Sequence, residues 1–152
     1  LQAIYRAQTE ADKDRIHIVL LDEMNLSRPE QYFAEFLSAL EHIVGAQSGI
    51  ETIAIGADDR MEDRRADIAT AVSRADSGDG VIILTDMFGG TPSNLAISLM
   101  EIGRVEVVAG MNLPMLVKLA RVRRDANLEK AAAAAQDAGR KYINIASQVL
   151  GD

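Results

Sequence analysis

The sequence predicts an α/β fold: an open, mainly parallel sheet of four to five strands with helices on both faces. Short apolar runs rich in β-branched residues, such as Val81–Thr85, are typical of strands that are buried on both faces. These runs alternate with segments whose apolar residues recur at helical spacing, and that alternation is the pattern of strand–helix–strand crossovers.

Five segments have the length and the apolar content of strands in such a sheet. The last of them is short and lies close to the carboxyl end of the sequence. In chain order the predicted strands are residues 16–21, 50–55, 81–85, 105–109 and 142–145.

Helices are predicted between these strands from apolar spacing and from residues that begin or end helices. Thr91 is predicted to cap a helix running to about Met100, and Asn112 to cap a helix over residues 113–122. Gly45 and Gly139 are predicted to stop the first and last helices. The last helix, which Gly139 stops, is predicted over residues 128–138, and the helix after the second strand is predicted to start near Asp58.

Length and composition fit one globular domain of 152 residues. Residues 1–15 are predicted to be a polar tail or a frayed helix, and residues 16–152 a single α/β domain. The net charge of −7 argues against nucleic-acid binding, which needs clustered Lys and Arg. No apolar run reaches the ~20 residues that a membrane-spanning helix needs, so no membrane insertion is predicted.

The most informative stretch, residues 85–94, joins the end of a predicted strand to the start of a helix. Ligands of open parallel sheets bind at the carboxyl ends of the strands. Gly89 and Gly90 allow the backbone to turn sharply and approach a ligand, and free backbone amides at the helix start favour an anion. Asp86 places an acceptor at the same edge, which suits a cation or an imidazole lying between it and the anion.

Residues 86–94 resemble the DxFGG[ST]PxN signature of mannose-family IIA domains of the bacterial sugar phosphotransferase system. Residues 112–116 are similar to the NLPML segment of that family. Further likeness in residues 41–45, 56–59 and 78–81 extends the resemblance from about residue 41 to residue 152.

The resemblance implies a cytoplasmic, dimeric phosphotransferase domain for sugar transport that needs no cofactor or metal. Such a domain accepts a phosphoryl group from the phosphocarrier HPr on a histidine and passes it to a IIB domain. Asp86 would hold the imidazole, and a cradle formed by Phe88, Gly89, Gly90 and Thr91 would bind the phosphoryl oxygens. Asn112, Pro114 and Met115 would line the same edge or contact a partner, and the short last strand could be exchanged between two subunits.

The acceptor histidine of this family is absent. In the family it follows the first strand, whereas here that strand ends in Leu21, Asp22 and Glu23. The two histidines of the chain lie elsewhere: His17 is too early in the strand, and His42 matches a family position that is not the acceptor. Phosphoryl transfer is therefore predicted to be impaired.

Residues 1–41 resemble instead the Walker B region of a McrB-type AAA+ ATPase, which suggests a junction between residues 16–41 and 42–152. In that family Asp22 would help to hold Mg²⁺ and Glu23 would activate water; otherwise both would face solvent at a strand end. The chain has no G-x-x-x-x-G-K-[ST] loop to hold a triphosphate. Three hypotheses follow: an impaired IIA phosphocarrier, a fragment of an AAA+ ATPase, and a noncatalytic dimeric docking module.

Overall fold

The computed structural model describes the backbone of residues 16–23 and 29–151 and the side chains of residues 16–22 and 33–151. The predicted tail, residues 1–15, lies outside the described residues. Strands and helices alternate in chain order: β1 (His17–Glu23), α1 (Pro29–Val44), β2 (Ile50–Ile55), α2 (Met61–Ala75), β3 (Val81–Thr85), α3 (Thr91–Ile97), β4 (Val105–Ala109), α4 (Leu113–Val122), α5 (Leu128–Lys141) and α6 (Ala146–Leu150).

The four strands form one parallel sheet in the order β2-β1-β3-β4. β1 and β3 are the central strands, and their register places Leu21 opposite Thr85. Since all four strands run the same way, their carboxyl ends share one edge of the sheet. The predicted α/β class with a parallel sheet is thus confirmed.

Successive strand residues point to opposite sides of the sheet. Those of β1 and β3 are apolar on both sides, and helices cover both faces. On one face α1, α4 and α5 bury Ile18, Leu20 and Leu84. On the other face α2 and α3 bury Leu21 and Ile83. Burying an aliphatic side chain of this size contributes about 1.5–3 kcal/mol, so β1 and β3 form the centre of the core. No helix within the described ranges is long and apolar enough to cross a membrane.

The end of α5 differs from the prediction that Gly139 stops the helix, because α5 continues to Lys141. Gly139 is instead a point of close packing between helices. A Cβ atom at this position would lie 3.0 Å from Cε of Met115 and 3.4 Å from the side-chain amide of Asn112. The glycine therefore permits close packing of α5 against the start of α4 and is not needed for a left-handed turn.

The predicted fifth strand, residues 142–145, is not a strand in this chain. Those residues form a turn and an irregular segment before α6, and every residue from 140 to 151 is exposed. Apolar β-branched residues alone favoured the prediction, but no strand within the described residues pairs with them.

Candidate functional site

The loop between β3 and α3, residues 86–90, projects from the carboxyl edge of the sheet. Asp86, Met87, Phe88 and Gly89 are all exposed, with Phe88 76% and Met87 61% accessible. No strand separates this loop from the end of β1, because β1 and β3 are neighbours. The structure therefore places the glycine-containing loop where a ligand or a partner protein can reach it.

The two glycines have different roles. Gly89 has a φ of +88°, a left-handed conformation that strongly favours glycine, and a Cβ there would meet nothing within 4 Å. Gly90 has a φ of −71° and is the N-cap of α3. The prediction that Thr91 is the cap was wrong: Thr91 is the first helical residue, and Gly90 has no side chain to occupy the amides of the first turn.

These amides remain available at the loop. Among the residues that the structure describes, neither the Thr91 nor the Ser93 amide donates a hydrogen bond. The Asn94 side chain braces the loop by donating to the Gly89 carbonyl at 3.4 Å. Because α3 has only seven residues, its dipole is small, and the loop amides are the main feature that suits an anion.

Two buried hydroxyls beneath the loop were not predicted. Thr85 ends β3 and Ser93 lies in the first turn of α3, and both are fully buried. Neither hydroxyl has a hydrogen-bond partner among the described residues. The sequence contained one indication that Thr85 is special: it is a polar residue that follows four aliphatic residues at the end of β3.

The loop after β4 is hydrogen-bonded to the end of β3 at the same edge of the sheet. The Gly110 and Met111 amides both donate to the Thr85 carbonyl at 3.0 Å. This double hydrogen bond brings residues 110–112 beside the start of the β3–α3 loop. The predicted edge formed by residues 112–116 is thus close to the predicted cradle.

The three predicted edge residues have distinct environments. The Asn112 side chain accepts from the Met115 amide at 3.0 Å and donates to the Gly139 carbonyl at 3.1 Å, so both of its ends are used within the fold. Met115 is 3% exposed and belongs to the core. Pro114 is partly exposed and lines an outer groove between α4 and α5.

The end of β1 supplies no imidazole. Asp22 is only 7% exposed, which contradicts the expectation that it faces solvent, and its backbone lies opposite Ala54 of β2. Glu23 is the last residue of β1. Within the described residues no group of three or more His, Cys, Asp and Glu side chains could hold a metal ion.

Both histidines lie near the opposite edge of the sheet. His17 is the first residue of β1 and is 1% exposed. At about 3.3 Å per residue, it is roughly 20 Å from Glu23 along the strand. His42 lies in the last turn of α1, the end that leads into the amino end of β2. Neither imidazole can therefore reach the β3–α3 loop.

Comparison with known proteins gives a consistent family. The family model described as "EIIA-man: PTS system fructose IIA component" matches residues 31–136. A mannose-specific EIIAB component of the phosphotransferase system from Escherichia coli K12 is 28% identical over 111 residues, 72% of this chain. The match covers 34% of that relative, so the chain spans about a third of its length.

Solved structures share the fold over most of the chain. A phosphotransferase component EIIA from Streptococcus agalactiae superposes with a TM-score of 0.73 at 24% identity, covering 88% of this chain and 98% of its own. A mannose/sorbose-specific IIA subunit from Enterococcus faecalis gives a TM-score of 0.68 at 27% identity, covering 86% of this chain and 94% of its own.

These matches do not support an AAA+ origin for residues 1–41. The family model begins at residue 31, inside that segment. The two structural matches cover 88% and 86% of the chain, which is more than residues 42–152 alone make up. The β1–α1 unit therefore occupies a place that IIA structures also fill.

Proposed function

The chain belongs to the EIIA-man family of phosphotransferase-system IIA components, and on that premise we propose that it is a mannose-type IIA domain that has lost histidine phosphorylation. It keeps the fold and the exposed β3–α3 loop of a phosphoryl carrier. The observation that carries the proposal is the carboxyl end of β1, where Asp22 and Glu23 stand beside the loop and no histidine is present.

The phosphoryl reaction needs a nucleophilic nitrogen. In transfer from a phosphohistidine, the acceptor nitrogen forms a P–N bond as the donor P–N bond breaks, and surrounding donors stabilise the phosphoryl oxygens. The residues from Phe88 to Thr91 would supply those donors, and Asp86 would orient the acceptor imidazole. Without an imidazole at the edge, the acceptor of the reaction is missing while its surroundings remain.

HPr and a IIB domain are the proposed partners, and their docking does not require the acceptor itself. Met87 and Phe88 offer two large exposed apolar side chains at the loop. Exposed aromatic and Met side chains are enriched at protein interfaces. We therefore propose that the domain retains a noncatalytic docking role, with the cytoplasm as its compartment.

A phosphorylation assay tests the loss of transfer. The chain is incubated with enzyme I, HPr and labelled phosphoenolpyruvate, and acid-labile phosphate is counted. We expect no label on this chain, and label on Glu23→His if the last position of β1 restores the acceptor. Asp22→His is the matched control, because Asp22 is buried and is expected to stay unlabelled. Label on His17 or His42 of the unmodified chain would refute the proposal.

An interaction assay tests docking separately. Phe88→Ala is expected to weaken binding of HPr about tenfold, since truncating a central aromatic commonly costs more than 1 kcal/mol. Ile102→Ala is the control, because Ile102 is 98% exposed in the turn before β4, at the opposite edge of the sheet. Equal binding by both variants, or no binding by the unmodified chain, would contradict docking through this loop.

A homodimer is part of the same proposal. The exposed segment 142–150 presents apolar side chains that this chain leaves uncovered, including Ile143, Ile145 and Leu150. Exchange of this segment with a second copy would bury them. The test is the mass in solution by light scattering: Ile143→Asp with Ile145→Asp should give a monomer, whereas Ile102→Asp should not. A monomeric unmodified chain would contradict the dimer.

A further inference from the structure

A groove on the outer surface lies apart from the β3–α3 loop. It runs between α4 and α5 beside the end of α1, with a volume of about 610 Å³. Its floor is apolar and formed by side chains from all three helices: Ile43, Leu113, Val117, Ala134 and Ala138. Ile43 is 49% exposed, so the groove is not closed by the fold itself.

Three cations stand around this floor: Lys118, Arg121 and Lys141. All three are exposed, and none forms an ion pair with a residue that the structure describes. Asp137 is the one acidic side chain that lines the groove. The groove therefore combines an apolar floor with an excess of unneutralised positive charge.

Two cations elsewhere in the fold have acidic partners. Arg64 of α2 is 2.7 Å from Asp67, and Arg104, in the turn before β4, is 2.7 Å from Asp76. Residues 113–142 hold seven of the 16 Lys and Arg residues but three of the 23 Asp and Glu residues, a net charge of +4 in a chain of −7. The basic character of the α4–α5 pair is thus local.

The chain's own exposed apolar segment does not match this charge. Residues 142–150 contain no charged residue at all. A second copy that placed this segment in the groove would bury apolar surface but leave the three cations without partners.

We infer that the α4–α5 groove is a docking site for an acidic amphipathic helix of another protein. Such a helix would place aliphatic side chains at i, i+3 or i+4 and i+7 on the apolar floor. Its flanking Glu or Asp side chains would pair with Lys118, Arg121 and Lys141. This role goes beyond the proposed loss of phosphoryl transfer and beyond docking at the β3–α3 loop.

The test uses a synthetic amphipathic peptide of about 14 residues, roughly 21 Å as a helix, with Leu on one face and Glu on the other. Its control peptide has Lys in place of Glu. Binding to the full chain is measured by calorimetry, and the site by amide chemical shifts. We expect the Glu peptide alone to bind, with shifts confined to α4, α5 and the end of α1.

Two matched triple variants distinguish peptide binding in the groove from attraction of the peptide by net charge. The groove variant carries Lys118→Glu, Arg121→Glu and Lys141→Glu, and should bind the peptide about tenfold more weakly, because three exposed ion pairs are lost and like charges take their place. The control carries Arg124→Glu, Lys130→Glu and Arg140→Glu, which change the charge equally on exposed positions outside the groove.

The apolar floor is tested without a change of charge. Ile43→Ser should also weaken peptide binding, while Ile102→Ser should not. Equal loss in both triple variants would overturn the inference, since it would show attraction by net charge alone. Loss of self-association in the Ile43→Ser variant would assign the groove to a second copy and would also overturn it. Binding of anionic vesicles or duplex RNA, but not the Glu peptide, would overturn it as well.

Discussion

The hydrogen bonds of the Asn112 side chain allow a quantitative prediction of how its removal changes the free energy of unfolding. Its side chain caps α4 by accepting from the Met115 amide and also ties α4 to α5 by donating to the Gly139 carbonyl. Loss of an N-cap costs about 1 kcal/mol, and loss of a partly buried hydrogen bond costs about 1 kcal/mol. We therefore expect Asn112→Ala to lower the free energy of unfolding by about 2 kcal/mol.

Asn127→Ala is the matched control. Asn127 caps α5 through one bond, from the Lys130 amide at 3.0 Å, and no second bond is found among the described residues. Its loss should cost about 1 kcal/mol. With a urea dependence of about 2 kcal/mol per molar, the unfolding midpoints should fall by about 1 M for Asn112→Ala and about 0.5 M for Asn127→Ala.

The assay is urea unfolding followed by far-ultraviolet circular dichroism. A third variant, Asn112→Asp, keeps an acceptor for the cap but loses the donor to Gly139, so its free energy of unfolding should fall between those of Asn112→Ala and the unmodified chain. If Asn112→Ala and Asn127→Ala lose equal stability, the bond to Gly139 contributes nothing and the reasoning is refuted.

Three further predictions concern stability. Burial raises the pKa of Glu51, so the stability linked to it is present below its unfolded pKa and lost as pH rises; Glu51→Gln should raise the unfolding midpoint in urea at pH 7 and have less effect at pH 4. Burial is the largest single influence on Asp76 and would raise its pKa, but the hydrogen bond and charge of Arg104 together with the backbone amides of Gly78 and Gly80 outweigh it, so the pKa is lowered; Arg104→Ala should therefore destabilise the fold at pH 7 more than at pH 3. Gly80→Ala should cost more than Gly103→Ala in the same urea assay, because both have positive φ but only at Gly80 would a Cβ meet the Arg104 carbonyl, at 3.0 Å; equal costs would contradict the close contact.

Most of the fold could be predicted from the sequence because its signals are local. The strands β2, β3 and β4 and the helix α4 have the predicted limits, since each is a short apolar run or an amphipathic segment with clear end signals. α2 begins at Met61, later than the predicted Asp58, because Asp59 binds the Gly56 amide in the preceding loop.

The remaining differences depend on tertiary contacts. Gly139 resembles a helix stop in the sequence, but it lies inside α5, where it packs closely against Asn112 and Met115 at the start of α4. The exposure of residues 142–145 could not be predicted from their β-branched side chains, because a strand also needs a neighbouring strand.

The sequence predicted where the candidate loop lies in the sheet but not the local geometry of its residues. The motif located the loop after β3, and the parallel register brought it beside β1. The cap at Gly90 and the buried hydroxyls of Thr85 and Ser93 follow from backbone geometry that the sequence does not contain.

The place of Glu23 has a practical consequence. The aliphatic residues of β1 that fill the core end at Leu21, two positions before the strand ends. Under the proposed loss of the acceptor, a substitution at position 23 would change reactivity without altering these core residues. In a collection of natural or engineered variants, expression yield and melting temperature would then not show which variants accept a phosphoryl group. Such a collection has to be sorted by a direct chemical readout of phosphate on protein.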